Sequence, residues 1–346
     1  MITATYKGKY FDLEYSVVNV SELEGELRLD AEYYEPIYIK LESKMLKKRG
    51  KRHFEFHPTI IHPTEIKRIY TESEKGIEMI LAQNIRDNEL DFSQKFIMPM
   101  ETKDKLTKNR LRQYDILMTR SGANYGQTAP FLEKKEMYAS ADCLIIRVKG
   151  INPLFVSTYF NTIYGKTLLR RLSYGLAQPH IATSSIKLIA IPFPSDPFQK
   201  TIEKLVLKAN EEKKKAEDFY KQAENILLEE LRLKNWKPKT RKIKIGGIEF
   251  KEEENISVRT LSEAVKADRM DAEYWEPKYI EFEEVIRSYK KGYDYLPNLI
   301  KISKETINID LNDIYNYIEL ADINPNLGVV NQTSQIIGKE LPSRAR

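Results

Sequence analysis

Apolar residues recur along this chain with two different periods. Over residues 196–234, DPFQKTIEKLVLKANEEKKKAEDFYKQAENILLEELRLK, the positions Phe198, Ile202, Leu205, Ala209, Ala216, Phe219, Ala223 and Ile226 fall at alternating spacings of four and three, with Glu212 as the polar interruption. This is the seam of a coiled coil sustained over about four heptads, and it predicts one long helix. Asp196 suits the cap, Pro197 the first helical position, and Gln199 the return acceptor of a capping box. At 1.5 Å per residue such a helix reaches on the order of 55 Å, more than a compact domain needs, so it reads as a spacer.

Between Phe54 and Pro194 the pattern shortens. MILAQNI, KFIMPM, YDILMTR, CLIIRV and LIAIPFP are apolar runs of strand length bounded by Asn, Asp, Gly and Pro, which predicts a sheet-rich domain. Within it, PLFVSTYFNTIYGKTLLRRLSYG reads as one helix or two. A further helix is expected after Pro36, with Tyr38, Leu41 and Met45 on one face and Gly50 as its stop. A matching one follows Pro277, with Tyr279, Phe282, Ile286 and Tyr289 on its face and Gly292 at its end.

Those two helices belong to a repeat. SVVNVSELEGELRLDAEYYEPIY stands before the long helix and SVRTLSEAVKADRMDAEYWEPKY after it. At one constant offset Ser16 faces Ser257, Glu22 faces Glu263, Arg28 faces Arg269, and Asp30-Ala31-Glu32-Tyr33 faces Asp271-Ala272-Glu273-Tyr274. The period is too long for a solenoid, so two homologous domains on a stiff rod is the simpler architecture. The paired aromatics beside each helix start fit a core anchor better than a platform for unpaired bases.

Length and composition agree. The chain has 346 residues, room for about two domains. With 41% hydrophobic and 31% charged residues, no span-length apolar run, and no basic-then-apolar leader in MITATYKGKYFDLEY, it is expected in the cytoplasm without a membrane association. Its one cysteine, Cys143, sits in CLIIRV and is expected in a buried strand, which excludes an intrachain disulfide or a cysteine zinc site. A net charge of +5 is compatible with a nucleic-acid partner without requiring one. Of the four histidines, His53, His57 and His62 cluster as HFEFHPTIIH and His180 stands apart; the spacings through a proline fit no common zinc pattern, so no metal site is expected.

The succession AEYYEP, YDILMTRSG and IATSSIKLIAIPFPSDPFQKTIEKLV entering a long helix resembles the DNA specificity subunit of type I restriction-modification systems, and the resemblance covers the whole chain. It implies a mixed α/β (α+β) target-recognition domain, a long coiled-coil helix spacer and a partial second copy of the domain. The boundaries are 1–195 for the first target-recognition domain, 196–235 for the helical conserved region, and 236–346 for a linker and truncated second domain. Its implied role is non-catalytic: each domain reads one half-site of double-stranded DNA, while partner adenine methyltransferase subunits modify the base and a restriction and translocase subunit cuts. S-adenosylmethionine, ATP and Mg would belong to those partners, and this chain needs no cofactor. The residues agree, since a methyltransferase needs an Asn- or Asp-Pro-Pro-aromatic motif and Asn152-Pro153-Leu154-Phe155 lacks the second proline; there is no P-loop either.

Base readout requires donors and acceptors on groove-facing loops. Thr119 to Gln127 supplies Arg120, Ser121, Asn124, Tyr125 and Gln127 among two glycines; the same composition also makes a tight hairpin with solvated polar residues. Lys103, Lys105, Lys108, Arg110 and Arg112 form a basic run with little acid near it in sequence, suited to phosphate contacts or simply to water. Tyr174, Gln178 and His180 are a third option. The basic stretch from Arg232 to Ile245 reads as an extended linker or as a backbone contact between half-sites.

The second copy departs from the family pattern. It breaks off at GKELPSRAR, where the first copy reads TKDKLTKNR. An incomplete second domain leaves unpaired strand edges and removes the natural cover of the seam at Phe198, Ile202, Leu205, Ala209, Phe219, Ala223 and Ile226. A separately encoded remainder, a second copy of the chain, or the methyltransferase subunits alone would cover it, and the first is favoured. An adaptor or scaffold that uses the coiled coil without reading DNA is the alternative function.

Overall fold

The computed structural model describes residues 2–7, 12–23, 28–47, 50–52, 58–71, 75–122, 124–175, 179–187, 189–237, 242–245, 248–251, 258–301, 303, 306–324, 328–330 and 333–343. His53, His57 and Gln178 lie outside them. The chain divides into two compact units, Met1–Lys213 and Lys214–Arg346.

The first unit opens with a hairpin, β1 (Ile2–Lys7) and β2 (Asp12–Val17), followed by helix α1 (Pro36–Lys47). The strands β3 (Gly50–Arg52), β4 (Thr59–Ile61), β5 (Ile77–Ile80), β6 (Ile85–Arg86), β7 (Glu89–Leu90), β8 (Phe96–Met98), β9 (Ile116–Thr119), β10 (Thr128–Pro130), β11 (Tyr138–Ala139) and β12 (Cys143–Arg147) come next. Helices α2 (Pro153–Asn161) and α3 (Ile163–Leu172), the short pair β13 (Ser173–Tyr174) and β14 (His180–Ile181), α4 (Thr183–Ile186) and β15 (Ala190–Pro192) lead into α5 (Asp196–Glu230). Four of the apolar runs named above hold a strand, trimmed at its ends; MILAQNI instead joins the end of β5 to the start of β6, and the PLFV segment folds as two helices.

The centre is an antiparallel sheet in the order β10-β9-β12-β4. Its middle strands lack polar alternation because both their faces are covered. Ile116, Met118, Leu144 and Ile146 face a core shared with α2 and α3, whereas Leu117, Cys143 and Ile145 face a second core with Ile80, Ile85 and Phe131. A second sheet, β11-β5-β8, packs with Leu106 into a third cluster. Asn152 caps α2 by accepting from the N–H groups of Leu154 (2.9 Å) and Phe155 (3.1 Å), which is the structural use of the Asn-Pro-Leu-Phe run. At the corner between α2 and α3 a Cβ on Gly165 would meet the Tyr159 carbonyl at 2.2 Å, so no other residue fits there.

The paired tyrosines are core anchors. Tyr33 is 1% exposed, and its ring lies 4.2 Å from the guanidinium carbon of Arg171 and 4.7 Å from that of Arg28. Arg171 is buried at the end of α3, where it donates to the Tyr33 carbonyl (2.8 Å) and pairs with the buried Glu42 of α1 at 2.7 Å. Arg28 pairs with Asp30 and donates to the last carbonyls of α3, Leu172 (3.3 Å) and Ser173 (3.1 Å). The helix end, whose carbonyls lack intrahelical donors, thereby receives them from a cation.

The long helix starts and stops differently from the sequence reading. The Ser195 carbonyl accepts from Phe198 (3.0 Å) and Gln199 (3.1 Å). Gln199 does not return to the cap: it is buried, its Oε1 accepts from the Asn152 N–H (2.8 Å), and its Nε2 donates to the Pro194 carbonyl (3.0 Å). A tertiary demand has replaced the capping box. At the far end Arg232 takes φ 59, so that its N–H reaches Glu229 (3.0 Å) while the Leu233 N–H reaches Leu228 (2.7 Å). This Schellman closure ends the helix at Glu230, four residues before the end of the stretch 196–234 expected to be helical.

The second unit holds the hairpin β16 (Lys242–Ile245) and β17 (Ile248–Lys251), helices α6 (Leu261–Ala267), α7 (Pro277–Arg287) and α8 (Leu296–Leu299), and strands β18 (Ile314–Tyr317), β19 (Ile323–Asn324), β20 (Val329–Val330) and β21 (Ser334–Ile337). Thr260 and Glu263 form a capping box at α6. β18 pairs with β21 as β5 pairs with β8, and β19 with β20 as β6 with β7. Asp322 accepts from the Glu319 N–H (2.8 Å) as Asn84 accepts from that of Leu81 (2.9 Å). Burial differs: Ile77 is 4% exposed and Ile314 67%. Among the described residues no helix is long and apolar enough to cross a membrane.

Two outcomes follow from this packing. Arg171→Leu removes the buried cation that pairs with the Glu42 carboxylate and is expected to destabilise the first unit by about 3–5 kcal/mol in urea unfolding, whereas Arg171→Leu with Glu42→Leu recovers most of the loss. Burial pushes the Cys143 thiol up to about 12, so the reactive thiolate is absent near neutral pH. Native protein at pH 8 is expected to resist alkylation there, and urea-unfolded protein to react fully.

Candidate nucleic-acid interface

The turn between β9 and β10 carries the first set of candidates. Two φ-positive glycines, Gly122 (φ 90) and Gly126 (φ 81), let the chain double back. The Thr119 N–H donates to the Gln127 carbonyl (2.9 Å), and the Gly126 N–H to that of Thr119 (2.8 Å). This turn is stitched to a distant segment. Ser121 bridges His180, the Gly122 N–H donates to the Pro179 carbonyl (3.2 Å), and Ile181 donates to the carbonyl of Arg120 (3.0 Å). The Arg120 N–H in turn reaches the Asp142 carbonyl (2.9 Å). The first and third candidate sets therefore share one surface, with Tyr174 and His180 ring centroids 6.0 Å apart beside it.

The five residues of the turn divide by direction. Asn124 is exposed and Arg120 and Ser121 half-buried. Tyr125 packs on the first core, its hydroxyl 3.4 Å from Ser173 Oγ. Gln127 turns inward, with a buried Oε1 that has no partner among the described residues. Arg120, Ser121 and Asn124 are thus the groups open to a ligand.

Arg120 also has a neighbour that its sequence surroundings do not announce. Its Nη1 lies 3.1 Å from Nε2 of His62, which is also 3.1 Å from the Ala141 carbonyl. A guanidinium only donates and a carbonyl only accepts, so Nε2 serves one of them at a time. The guanidinium is held near the surface by a contact that competes with another. Arg68 pairs with Asp142 at 2.6 Å close by. His62 is 58 residues from Arg120, and no local pattern signals their meeting.

The basic run forms a 3₁₀ segment, Met100–Asn109. Its cations face outward because Leu106 and Asn109, both 0% exposed, face inward. Asn109 donates to the carbonyls of Thr64 (3.0 Å) and Ala139 (2.8 Å) and accepts from the Thr64 N–H (3.0 Å). The run is less purely basic in space than in sequence. Glu136 pairs with Lys103 at 3.0 Å and Arg110 at 3.1 Å, and accepts from the Tyr138 hydroxyl (2.9 Å). The hydrogen bond from Lys103 holds the Glu136 carboxyl below its usual range, with Tyr138 adding to it. Lys105, Lys108 and Arg112 are exposed, and no ion pair reaches them among the described residues.

Arg112 and Asp115 precede β9 and Arg120 follows it, a separation of about 10 Å along the strand itself at ~3.4 Å per residue. The antiparallel β12 repeats the division: Arg147 pairs with Asp115 at 2.7 Å and donates to the Arg110 carbonyl (3.0 Å) at one end, while Asp142 meets Arg120 and Arg68 at the other. No group of three or more metal-ligating side chains occurs among the described residues.

Residues 70–227 match the family described as type I restriction modification DNA specificity domain. The comparison with curated proteins gives no match. Among solved structures, one of a type I R-M system described for its complex assembly and conformational transition is 14% identical over 59% of this chain and 60% of its own, with a TM-score of 0.35. The type IIG restriction endonuclease BpuSI is 9% identical over 51% of this chain and 28% of its own, with a TM-score of 0.40. The HsdS subunit from Thermoanaerobacter tengcongensis is 14% identical over 51% of this chain and 44% of its own, with a TM-score of 0.30. The matched region therefore spans 60% or less of each of these proteins. The segment matched to the family contains both the Arg120 turn and the basic run.

Proposed function

We propose that this chain, which over residues 70–227 belongs to the type I restriction modification DNA specificity family, is the non-catalytic subunit that reads one half-site of double-stranded DNA through its first unit. The family match carries this reading, because it covers both polar surfaces. In the turn after β9, Arg120, Ser121 and Asn124 have the hydrogen-bonding capacity to read base edges, with Tyr174, His180 and His62 beside them. In the basic run before β9, Lys105, Lys108 and Arg112 provide phosphate contacts that fix register.

In the same proposal residues 1–195 form the target-recognition domain, 196–235 the helical conserved region, and 236–346 a linker and partial second copy. The helical region serves as spacer. Its outer seam, from Leu205 through Ala209, Phe219 and Ala223 to Ile226, takes a helix of another subunit, since Leu205 is 59%, Phe219 66% and Ile226 67% exposed. The two earlier seam positions have a second use. Phe198 meets Phe155 edge-on at 6.4 Å, and Ile202 packs on the first core. Adenine methyltransferase and restriction subunits are the partners this arrangement serves, acting in the cytoplasm and holding whatever S-adenosylmethionine, ATP and Mg the chemistry uses.

Fluorescence anisotropy of the full chain against a selected duplex and a random duplex, across a salt series, tests the reading. Affinity for both is expected to fall steeply with salt. Lys105→Ala and Lys108→Ala should each weaken both duplexes alike and reduce the slope by roughly 1. Arg120→Ala should cost about 1–3 kcal/mol on the selected duplex and little on the random one. Glu136→Gln, which releases Lys103 and Arg110, should tighten both. Salt-independent or undetectable binding would favour the adaptor reading.

A further inference from the structure

The chain holds His62 from both sides. It follows β4, whose Ile60 and Ile61 pair with Ile146 and Ile145 of β12, and it precedes Pro63, which confines its backbone to extended conformations. Two residues on, Thr64 is clamped by the fully buried Asn109, which accepts from its N–H and donates to its carbonyl, both at 3.0 Å. The imidazole is therefore carried on fixed backbone, while the residue stays exposed to solvent. Because β12 lies between β4 and β9 in the sheet, the two groups that Nε2 meets come from the next two strands. They are the Ala141 carbonyl just before β12 and the Arg120 guanidinium just after β9, each at 3.1 Å.

The proton on Nε2 decides which of the two it serves. With the ring proton on Nδ1, Nε2 has a lone pair and accepts from Arg120. In the other tautomer, or in the imidazolium, Nε2 carries a proton that only the carbonyl can take, and the imidazolium adds like charge beside the guanidinium. The other charged groups of this rim answer to one another. Arg68, on the segment after β4, pairs with Asp142, just before β12, at 2.6 Å and with Glu65 at 3.6 Å. Both carboxylates thus have a cation, and Arg120 has the imidazole. His180, bridged to Ser121, is the other imidazole of this surface. A guanidinium has donors to spare, so one N–H given to His62 still leaves the pair that a guanine edge takes.

We propose that His62 is a positioning residue for base readout: neutral, it holds the Arg120 guanidinium in place through Nε2, and protonated, it turns Nε2 to the Ala141 carbonyl and lets the guanidinium go. This role rests on the DNA reading proposed above for the first unit. The guanidinium is charged in both states, so attraction to phosphate persists and grows by the charge of the imidazolium. What protonation removes is the order of one long side chain, whose freedom must then be given up when it meets the right base. Discrimination between sequences therefore falls as pH falls, by about three- to tenfold for one such side chain, while affinity for an arbitrary duplex does not.

The test measures anisotropy of the full chain with a duplex selected at pH 8 and with a random duplex, from pH 8 down to about pH 5.5 at constant ionic strength, the span in which an imidazole changes charge. The ratio of the two dissociation constants is expected to fall about three- to tenfold over that span in the native chain. His62→Ala should show the low ratio at every pH. His62→Gln, whose Oε1 accepts from a guanidinium and does not titrate, should hold the ratio level with pH and above that of His62→Ala. In an Arg120→Ala background neither substitution should change the ratio further. Circular dichroism checks that both changes, at an exposed position, leave the fold intact. A preference that is present at pH 8 but flat with pH, or a pH dependence that survives His62→Gln, overturns the role of His62 and leaves DNA reading standing. No preference at any pH overturns both.

Discussion

The buried guanidinium of Arg171 ties together three segments of the first unit. A charge taken out of water must be paired and hydrogen-bonded where it stops. Arg171 meets that demand by drawing three separate segments together: the Tyr33 carbonyl, the Glu42 carboxylate of α1 and the end of α3. Arg28 then closes the carbonyls of α3 from outside. Where α3 ends, β13 begins, and β13 pairs with β14, whose residues stitch the Arg120 turn to the sheet. The placement of the candidate base-reading residues is thus inherited from an ion pair that none of them touches.

A rigid sheet with polar groups at its two ends suits a ligand with two kinds of surface. A turn with mixed donors and acceptors follows β9, and a run of exposed cations precedes it. Both are held from beneath by buried polar groups, Ser140 and Asp142 backbone beside the turn, Asp115 just before β9 and Asn109 under the basic run. The candidate side chains therefore sit on backbone that is already fixed, which would limit the ordering cost of binding. Glu136 moderates the field at the basic end by pairing two of its five cations, leaving the others to act at the surface.

The central strands were legible in the sequence because burial on both faces leaves continuous apolar runs, and CLIIRV and YDILMTR have no other use. The long helix was legible because its period is sustained. Its end was not: the closure depends on Arg232 adopting a left-handed conformation, for which arginine carries no signal, whereas glycine would have. Gln199 misled because a good capping residue and a good tertiary hydrogen-bonder are the same residue. Neither Glu136 beside Lys103 nor His62 beside Arg120 could be read from spacing, since these contacts span 33 and 58 residues and exist only once the sheets have packed. The segment PLFVSTYFNTIYGKTLLRRLSYG was legible as helical, but nothing in RRLSYG distinguishes the buried Arg171 from the exposed Arg170.

The second unit forms the same local structure with less burial. Its aromatic pair, its Arg-Asp clamp and its first helix all form without a counterpart of α3 among the described residues, so these elements are specified locally, by the capping box at Thr260 and by the short contact between Arg269 and Asp271. Burial is a different matter. The ring that is hidden in the first unit stands open in the second, and Val265, Met270 and Ile314 are at least two-thirds exposed. Local chemistry can shape such a segment, but the free energy that makes a domain cooperative comes from covering its apolar surface. In the second unit local contacts therefore set the geometry of segments whose apolar side chains contribute little burial.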